Sequence, residues 1–528
     1  MIPNKDSKIK IEEILNDKNL SRSQIILEYR KYCKNNNIKE DLSFIDKLKT
    51  KPIRTLSGVV PITVLTKPFP CPGKCIFCPD DVMMPKSYLT LEPGAQRALM
   101  NKFDPYLQVK NRMQALQNIG HKTEKIELLV LGGTWSVYPR HYQEWFIKRC
   151  LDAMNEFQYK EYKYEKNRIN FDTKISEEEP SLKDWNIELL KKAQKKNEKG
   201  KYRCIGITLE TRPDRISKNE VIHLRELGAT KIQLGIQNTN DYILNENKRG
   251  ENSEDQKKAI NLLRRAGFKI QIHWMPNLYK STPKTDKEDI EVIYSNGSYM
   301  PDEIKIYPCS VIESAELYTY WKNKKYQSYT EKDLMDVLIH AKLIVPEYSR
   351  INRLIRDIPS TYIETGNKKT NFRQIVQEEM KRRNLQCRCI RCREIRNEKI
   401  EEIKFKKYQY ETSVSKEFFL SFNSKDKILG FLRLSIPKDS VGYIKEIENC
   451  SIIREVHVYG KALGIKDKSD STQHLGLGSR LIKEAEKISK KENFSKIAVI
   501  SGIGTREYYK KRGFKLDNLY QIKILTNG

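Results

Sequence analysis

The sequence predicts an α/β chain: a partial (β/α)6 barrel, then a mixed α+β domain, with a small helical extension in front. Three observations predict it. Six short apolar stretches between about residues 58 and 310 alternate with amphipathic segments, the pattern of parallel strands joined by helical crossovers. Residues unusual for strands cluster just after the strand ends, where β/α barrels carry their chemistry. After about residue 405 the pattern changes to longer strands and one glycine-opened helix. The expected division is 1–55 extension, 56–320 barrel, 321–404 basic linker with cysteines, and 405–528 second domain.

Ile9, Ile11, Ile14 and Leu15, then Ile25, Ile26, Tyr29 and Tyr32, recur at helical spacing among basic residues. They predict either a small RNA-binding module or a packed extension. The expected barrel strands are Ile62–Thr66, Ile126–Leu131, Cys204–Leu209, Lys231–Ile236, Lys269–Trp274 and Glu303–Tyr307. Helices such as Glu220–Leu227 and Gln256–Ala266 lie between them, the latter closed by Gly267. Gly132-Gly133-Thr134, Glu210-Thr-Arg-Pro-Asp214, Gln237-Asn238 and Pro308-Cys309 follow strand ends. The lysine- and glutamate-rich stretch 156–203 reads as a solvated, mobile insertion.

Cys71-Pro-Gly-Lys-Cys75-Ile-Phe-Cys78 follows the first strand, on the same rim. Disulfides would leave one thiol over, and zinc would need a fourth ligand that does not follow nearby. An iron–sulfur cluster normally takes four cysteine thiolates. Three therefore point to a [4Fe-4S] cluster with one iron open to S-adenosyl-L-methionine, a radical-generating pair. The alternative is a zinc loop completed from elsewhere. A second trio, Cys387, Cys389 and Cys392, stands among arginines. With Cys309 as fourth ligand it suits tetrahedral zinc; the alternative is unligated thiols. His273, on a strand, reads equally as a core or a site histidine.

The net charge of +29 points to a polyanionic partner, although a lysine-rich composition alone would also raise it. Arginines at 350–356 and 388–396 suit phosphate. No run of about 18 apolar residues exists, and Met1-Ile-Pro-Asn lacks a secretory core. The expectation is a cytoplasmic protein with no membrane partner. Six of eleven cysteines in two tight groups argue for metal rather than disulfides.

In the second domain, Gln473-His-Leu-Gly-Leu-Gly-Ser479 opens a helix after a strand and loop. Glycines admit a diphosphate to free helix N–H groups. With Tyr508-Tyr509-Lys-Lys-Arg-Gly513 after the next strand, it resembles the coenzyme A site of GNAT-type N-acetyltransferases. That resemblance implies backbone contacts from Glu455, Val456, His457 and Val458, with Leu477, Gly478 and Ser479 at the diphosphate. It also places a tyrosine, Tyr508 or Tyr509, at the thioester sulfur; the alternative for the pair is core packing.

Lys67-Pro-Phe-Pro-Cys-Pro-Gly-Lys-Cys75, Gly206-Ile-Thr-Leu-Glu-Thr-Arg-Pro-Asp214, Arg356-Asp-Ile-Pro359, Glu455-Val-His-Val-Tyr-Gly460 and Ile500-Ser-Gly-Ile-Gly-Thr-Arg506 extend the likeness. From about residue 50 onward the chain resembles the catalytic subunit of Elongator and its stand-alone relatives, the tRNA uridine carboxymethyl synthases. The resemblance implies a radical S-adenosylmethionine barrel that takes a hydrogen from the acetyl-CoA methyl group. The carbon radical then adds to C5 of a wobble uridine in the tRNA anticodon, and thioester hydrolysis leaves carboxymethyl. It implies that Gly132, Gly133, Glu210 and Gln237 serve S-adenosylmethionine and that Lys125 meets coenzyme A. A homodimer or Elongator-like accessory subunits are the implied assembly. The competing function is a protein lysine acetyltransferase with a structural cluster. A uniformly basic surface, which repels lysine-rich tails, speaks against it.

Overall fold

The computed structural model describes residues 5–17, 19–55, 57–159, 164–165, 168–169, 174–175, 177–396, 398–439, 442–459 and 476–525. The N-terminal periodicity folds as helices Lys5–Asn16, Arg22–Asn35 and Leu42–Leu48. Ser21 caps the second: its hydroxyl accepts from the Gln24 N–H, and the Gln24 side chain accepts from the Ser21 N–H. This satisfies donors that a helix start leaves open. Ile26, Tyr29, Cys33 and Ile45 form a small core there, and Arg30 donates to the Gln117 carbonyl of the barrel at 2.9 Å.

The six expected strands form within two residues of their predicted ends: β1 (Val60–Leu65), β2 (Lys125–Leu131), β3 (Arg203–Thr211), β4 (Lys231–Gln237), β5 (Lys269–Trp274) and β6 (Glu303–Ile306). They pair in parallel, in chain order. Right-handed crossovers in sequential order put the connecting helices on one face, and the other face becomes the concave interior. A seventh strand, β7 (Arg350–Arg353), pairs with β6, so the barrel sheet continues past residue 320. Part of the expected basic linker is therefore sheet.

The second sheet contains β8 (Ile403–Glu411), β9 (Ser415–Ser424), β10 (Lys427–Pro437), β11 (Cys450–Val458), β12 (Lys496–Val499), β13 (Lys515–Asp517) and β14 (Tyr520–Ile524). Its order is β8-β9-β10-β11-β12-β14-β13, antiparallel except for β11 with β12. The helix Leu477–Lys491 buries Leu481, Ile482 and Ala485 against β9, β10 and β11.

The insertion is only partly what its composition predicts. Residues 188–197 form a helix with Leu190 and Ala193 buried, packed on the helix Arg140–Glu156. Glu198 pairs with Arg506 of the second domain at 2.8 Å. Apolar residues at helical spacing outweigh the lysines there. Most of the run from Lys160 to Lys166 lies outside the described residues.

The two domains are locked together. Arg454, fully buried, donates to Asp302 at 2.5 and 2.7 Å and to Glu417 at 3.2 Å. A Cβ on Gly502 would lie 2.2 Å from the Ile205 carbonyl oxygen, so only glycine lets that loop meet β3. Among the described residues no helix is long and apolar enough to cross a membrane.

Candidate active site

Beyond β1, prolines 68 and 70 end the strand, and the loop carries Cys71, Cys75 and Cys78 over the C-terminal rim. Its backbone is fixed. The Ile76 N–H donates to the Asn247 carbonyl at 3.2 Å, and the Leu317 N–H donates to the Ile76 carbonyl at 2.7 Å. The Gly73 N–H donates to the Cys71 sulfur at 3.4 Å. Burial, with Cys75 alongside, pushes the Cys78 thiol up to about 12.

Among the described residues, one group of His, Cys, Asp and Glu has three ligand atoms all within 4.8 Å: Cys387, Cys389 and Cys392. The sulfurs of Cys71, Cys75 and Cys78 do not all fall within that limit. Thiolates sharing one tetrahedral zinc lie about 3.8 Å apart, given a Zn–S bond of about 2.3 Å. A wider triangle suits thiolates on separate irons of a cluster. The rim trio thus fits [4Fe-4S] better than a single ion.

The neighbouring rim residues leave room for a polar ligand. Gly132 and Gly133 take φ of +134° and +90°. A Cβ on Gly132 would lie 1.9 Å from the Thr66 hydroxyl oxygen, so the backbone must stay bare. Gln237, at φ +63°, keeps a buried side-chain oxygen with no hydrogen-bond partner, an acceptor open to a ligand donor. Glu210 accepts from the Tyr88 hydroxyl at 3.4 Å, and burial raises its carboxyl.

Parallel strands are usually apolar on both faces. Here alternate residues make the interior polar. Lys231 pairs with Glu127 at 2.6 Å and Glu303 at 3.4 Å. One layer up, Lys305 donates to the Gln233 side-chain oxygen at 2.6 Å, with His273 Nε2 3.3 Å from the same oxygen. His273 Nδ1 then lies 3.9 Å from Glu210. Burial lowers Lys305 to about 8 and keeps His273 neutral. This polar file runs from the rim to the N-terminal strand ends. Sequence reasoning missed it, although the signal was there: Lys231-Ile-Gln-Leu and Glu303-Ile-Lys-Ile alternate charged or polar residues with apolar ones.

At the lower end a cavity of about 530 Å³ opens between the domains, lined by Glu127 and Lys231 from one and by Val456, His457 and Tyr509 from the other. β11 pairs with β12 from Cys450 to Ile453 and no further. Glu455–Val458 therefore keeps one backbone edge unpaired, and the first three of these residues border the cavity. The Glu455 side chain is engaged by Lys269 at 2.6 Å and Arg433 at 2.9 Å. Burial opposes its ionisation, but these cations hold the carboxyl at about 2. Burial lowers His457 to about 4, so its imidazole is neutral near pH 7.

Leu477 and Gly478 start the helix after Gly476, and their N–H groups fall in its unsatisfied first turn. The Ser479 hydroxyl accepts from Arg512 at 2.9 Å, and the same guanidinium covers the Tyr508 ring at 3.4 Å. Tyr509 lines the cavity; Tyr508 packs by Gly478 instead. Lys125 begins β2 half-buried, in register with Arg203, and burial with that arginine lowers its pKa. Residues 473–475 of the glycine motif lie outside the described residues.

Cys309 does not join the second trio. It lies just beyond β6 at the rim, packed with Ile76, Leu278 and Tyr326, while the trio sits beside β7, where the Ile390 N–H donates to the Ser349 carbonyl at 3.0 Å. The arginines expected at tRNA are also engaged internally. Arg350 pairs with Glu394 at 2.9 Å and Arg356 with Glu92 at 2.6 Å. Arg388 and Arg393 share Glu347, and Arg391 donates to the Asn352 carbonyl at 2.7 Å. Glu92, Glu347 and Glu394, far apart in the sequence, take up part of what looked like a phosphate-binding cluster.

Fold and rim together place the chain among two-part enzymes, a radical S-adenosylmethionine barrel joined to an acetyltransferase domain. It matches the Radical SAM superfamily over residues 70–290, the Radical_SAM C-terminal domain over 301–382 and the Acetyltransferase (GNAT) family over 383–514. It is 42% identical over 498 residues to the tRNA uridine(34) acetyltransferase of Methanocaldococcus infernus, covering 90% of this chain and 88% of that one. To Elongator complex protein 3 of Homo sapiens it is 33% identical, covering 91% and 86%. The solved archaeal Elp3 of M. infernus with an N-terminus deletion (1-46) superposes with a TM-score of 0.73 at 38% identity, covering 89% of this chain and 100% of that one. The chain belongs to the family of tRNA uridine(34) acetyltransferases and Elongator complex protein 3.

Proposed function

We propose that the chain is a cytoplasmic tRNA carboxymethyluridine synthase, which places an acetyl-CoA-derived carboxymethyl group on C5 of the wobble uridine, position 34, in the anticodon stem-loop. The observation that carries this reading is the cavity lined by both domains, continued by the polar file to the cysteine rim. Cys71, Cys75 and Cys78 would hold the cluster, with Gly132, Gly133, Glu210 and Gln237 on S-adenosylmethionine; when bound, the pair supplies a carbon radical.

The open edge of Glu455–Val458 meets the pantetheine amides, and the N–H groups of Leu477–Ser479 meet the diphosphate. Lys125 offers a cation to coenzyme A. Tyr509 stands at the thioester end of the cavity. The Lys305 amine, lowered to about 8 by burial, can exchange a proton near physiological pH. Cys387, Cys389 and Cys392 would hold a structural zinc whose fourth ligand is not Cys309.

The test is nucleoside mass spectrometry of tRNA after anaerobic reaction of the reconstituted protein with both cofactors. Carboxymethyluridine should form, and Tyr509→Phe should form it about a hundredfold more slowly. Unmodified uridine throughout, in protein that holds its cluster and binds acetyl-CoA, would overturn the proposal.

A further inference from the structure

We infer that Arg249, together with Arg212 and Glu251, sets the reduction potential of the rim cluster by acting on the Cys75 sulfur. The inference rests on the reading that Cys71, Cys75 and Cys78 hold [4Fe-4S]. Arg249 Nη1 lies 3.3 Å from the Cys75 sulfur and Arg212 Nη1 lies 3.9 Å from it. Among the described residues no arginine or lysine donates to the sulfurs of Cys71 or Cys78. The asymmetry is built in. Arg249 also donates to the Gly235 carbonyl, and Arg212 donates to the Arg249 carbonyl at 2.9 Å and to Asp214 at 2.8 Å. Neither guanidinium can swing away without losing those bonds.

Glu251 completes the arrangement. Its side chain is fully buried, 3.1 Å from Arg249 and 3.3 Å from Arg212, and its oxygens make no hydrogen bond. It therefore acts through charge. The potential of an iron–sulfur cluster follows its net charge and the hydrogen bonds to its sulfurs. Reduction adds one electron, supplied by an external reductant, and no ligand or proton leaves. The added negative charge is stabilised by the two guanidiniums and opposed by Glu251. Asp214 and Glu251 face the two arginines from behind, and only the guanidiniums reach the Cys75 sulfur, so the nearer charges favour the reduced state. All three are positioning residues: they act through Cys75 and touch no substrate.

The experiment is an EPR-monitored dithionite titration of the full-length, reconstituted chain, with iron and sulfide content measured on each sample. Arg249→Gln should lower the midpoint so that the reduced fraction at a fixed potential falls about tenfold, equivalent to about 59 mV for a one-electron couple. Arg249→Lys should recover part of it. Glu251→Gln, compared with the parent at alkaline pH, should shift the midpoint the opposite way. Fully loaded variants with the parent's midpoint, or both glutamine variants moving in one direction, would overturn the inference. If Arg249→Gln takes up no cluster, Arg212→Gln and Glu251→Gln decide by the same signs. A parent chain with no iron signal would instead sink the cluster reading itself.

Discussion

The two cysteine trios differ by two residues in a single gap, yet they build different sites. The rim trio is C-x3-C-x2-C on a loop bounded by Pro70 and broken by Pro72 and Gly73. Its sulfurs stay apart, and its three cysteines are half-buried. The inner trio is C-x-C-x2-C. There Cys389 starts the short helix Ile390–Arg393, the Cys392 N–H donates to the Cys389 carbonyl at 3.1 Å, and the sulfurs converge within 4.8 Å. Hydrogen bonds from Cys387 and Cys392 hold Cys389 below the usual thiol range. A helical turn draws three sulfurs together, whereas the irregular loop does not. The number of metals a trio can hold thus depends on backbone geometry that thiol spacing only partly reveals.

The sharpest way to break this comparison is to remove one thiol from each site. Cys75→Ala should eliminate the iron–sulfur absorbance and all tRNA modification while leaving the thermal midpoint and acetyl-CoA binding near the parent's values. The Cys75 side chain is only partly buried, at the edge of a small cluster outside the main core, so little packing depends on it. Cys389→Ala should do the reverse: iron is retained, but stability falls by about 4 kcal/mol through loss of metal in the core, read as a lower thermal midpoint. If Cys389→Ala stripped iron and Cys75→Ala melted the fold, the two assignments would have to be exchanged.

The sequence made some of this legible and hid the rest for identifiable reasons. The barrel strands were readable because their ends carry glycines and prolines and their centres are apolar. β7 was not, because Arg350-Ile-Asn-Arg353 looks like a basic surface until Glu394 and the edge of β6 are brought beside it. β8 and β13 were missed because an edge strand such as Ile403-Lys-Phe-Lys-Lys carries the charge of a loop. The rim cysteines and the open strand edge were anticipated from short local motifs. Cys309 failed as a ligand, and Arg249 and Glu251 went unseen, because both depend on which distant loops meet on the rim.

The smallest expected effect compares the cations beside the two trios. At the rim, Arg249 faces Cys75 with Glu251 as its counter-charge. At the inner trio, Lys342 is buried with its ammonium 4.0 Å from the Cys392 sulfur, and among the described residues it makes no ion pair with a carboxylate. A buried lysine without a carboxylate keeps its charge most readily when something else nearby is anionic. Three thiolates around one divalent ion leave a net charge of about −1, which meets that need. Lys342→Met keeps the length and apolar stem of the side chain but removes the charge. It should weaken zinc binding about tenfold in a chelator competition, with iron content at the rim unchanged. Zinc affinity equal to the parent's would mean that the inner sulfurs carry no net negative charge. The inner trio would then be a set of thiols held together by packing, and the contrast with the rim would lie in geometry alone.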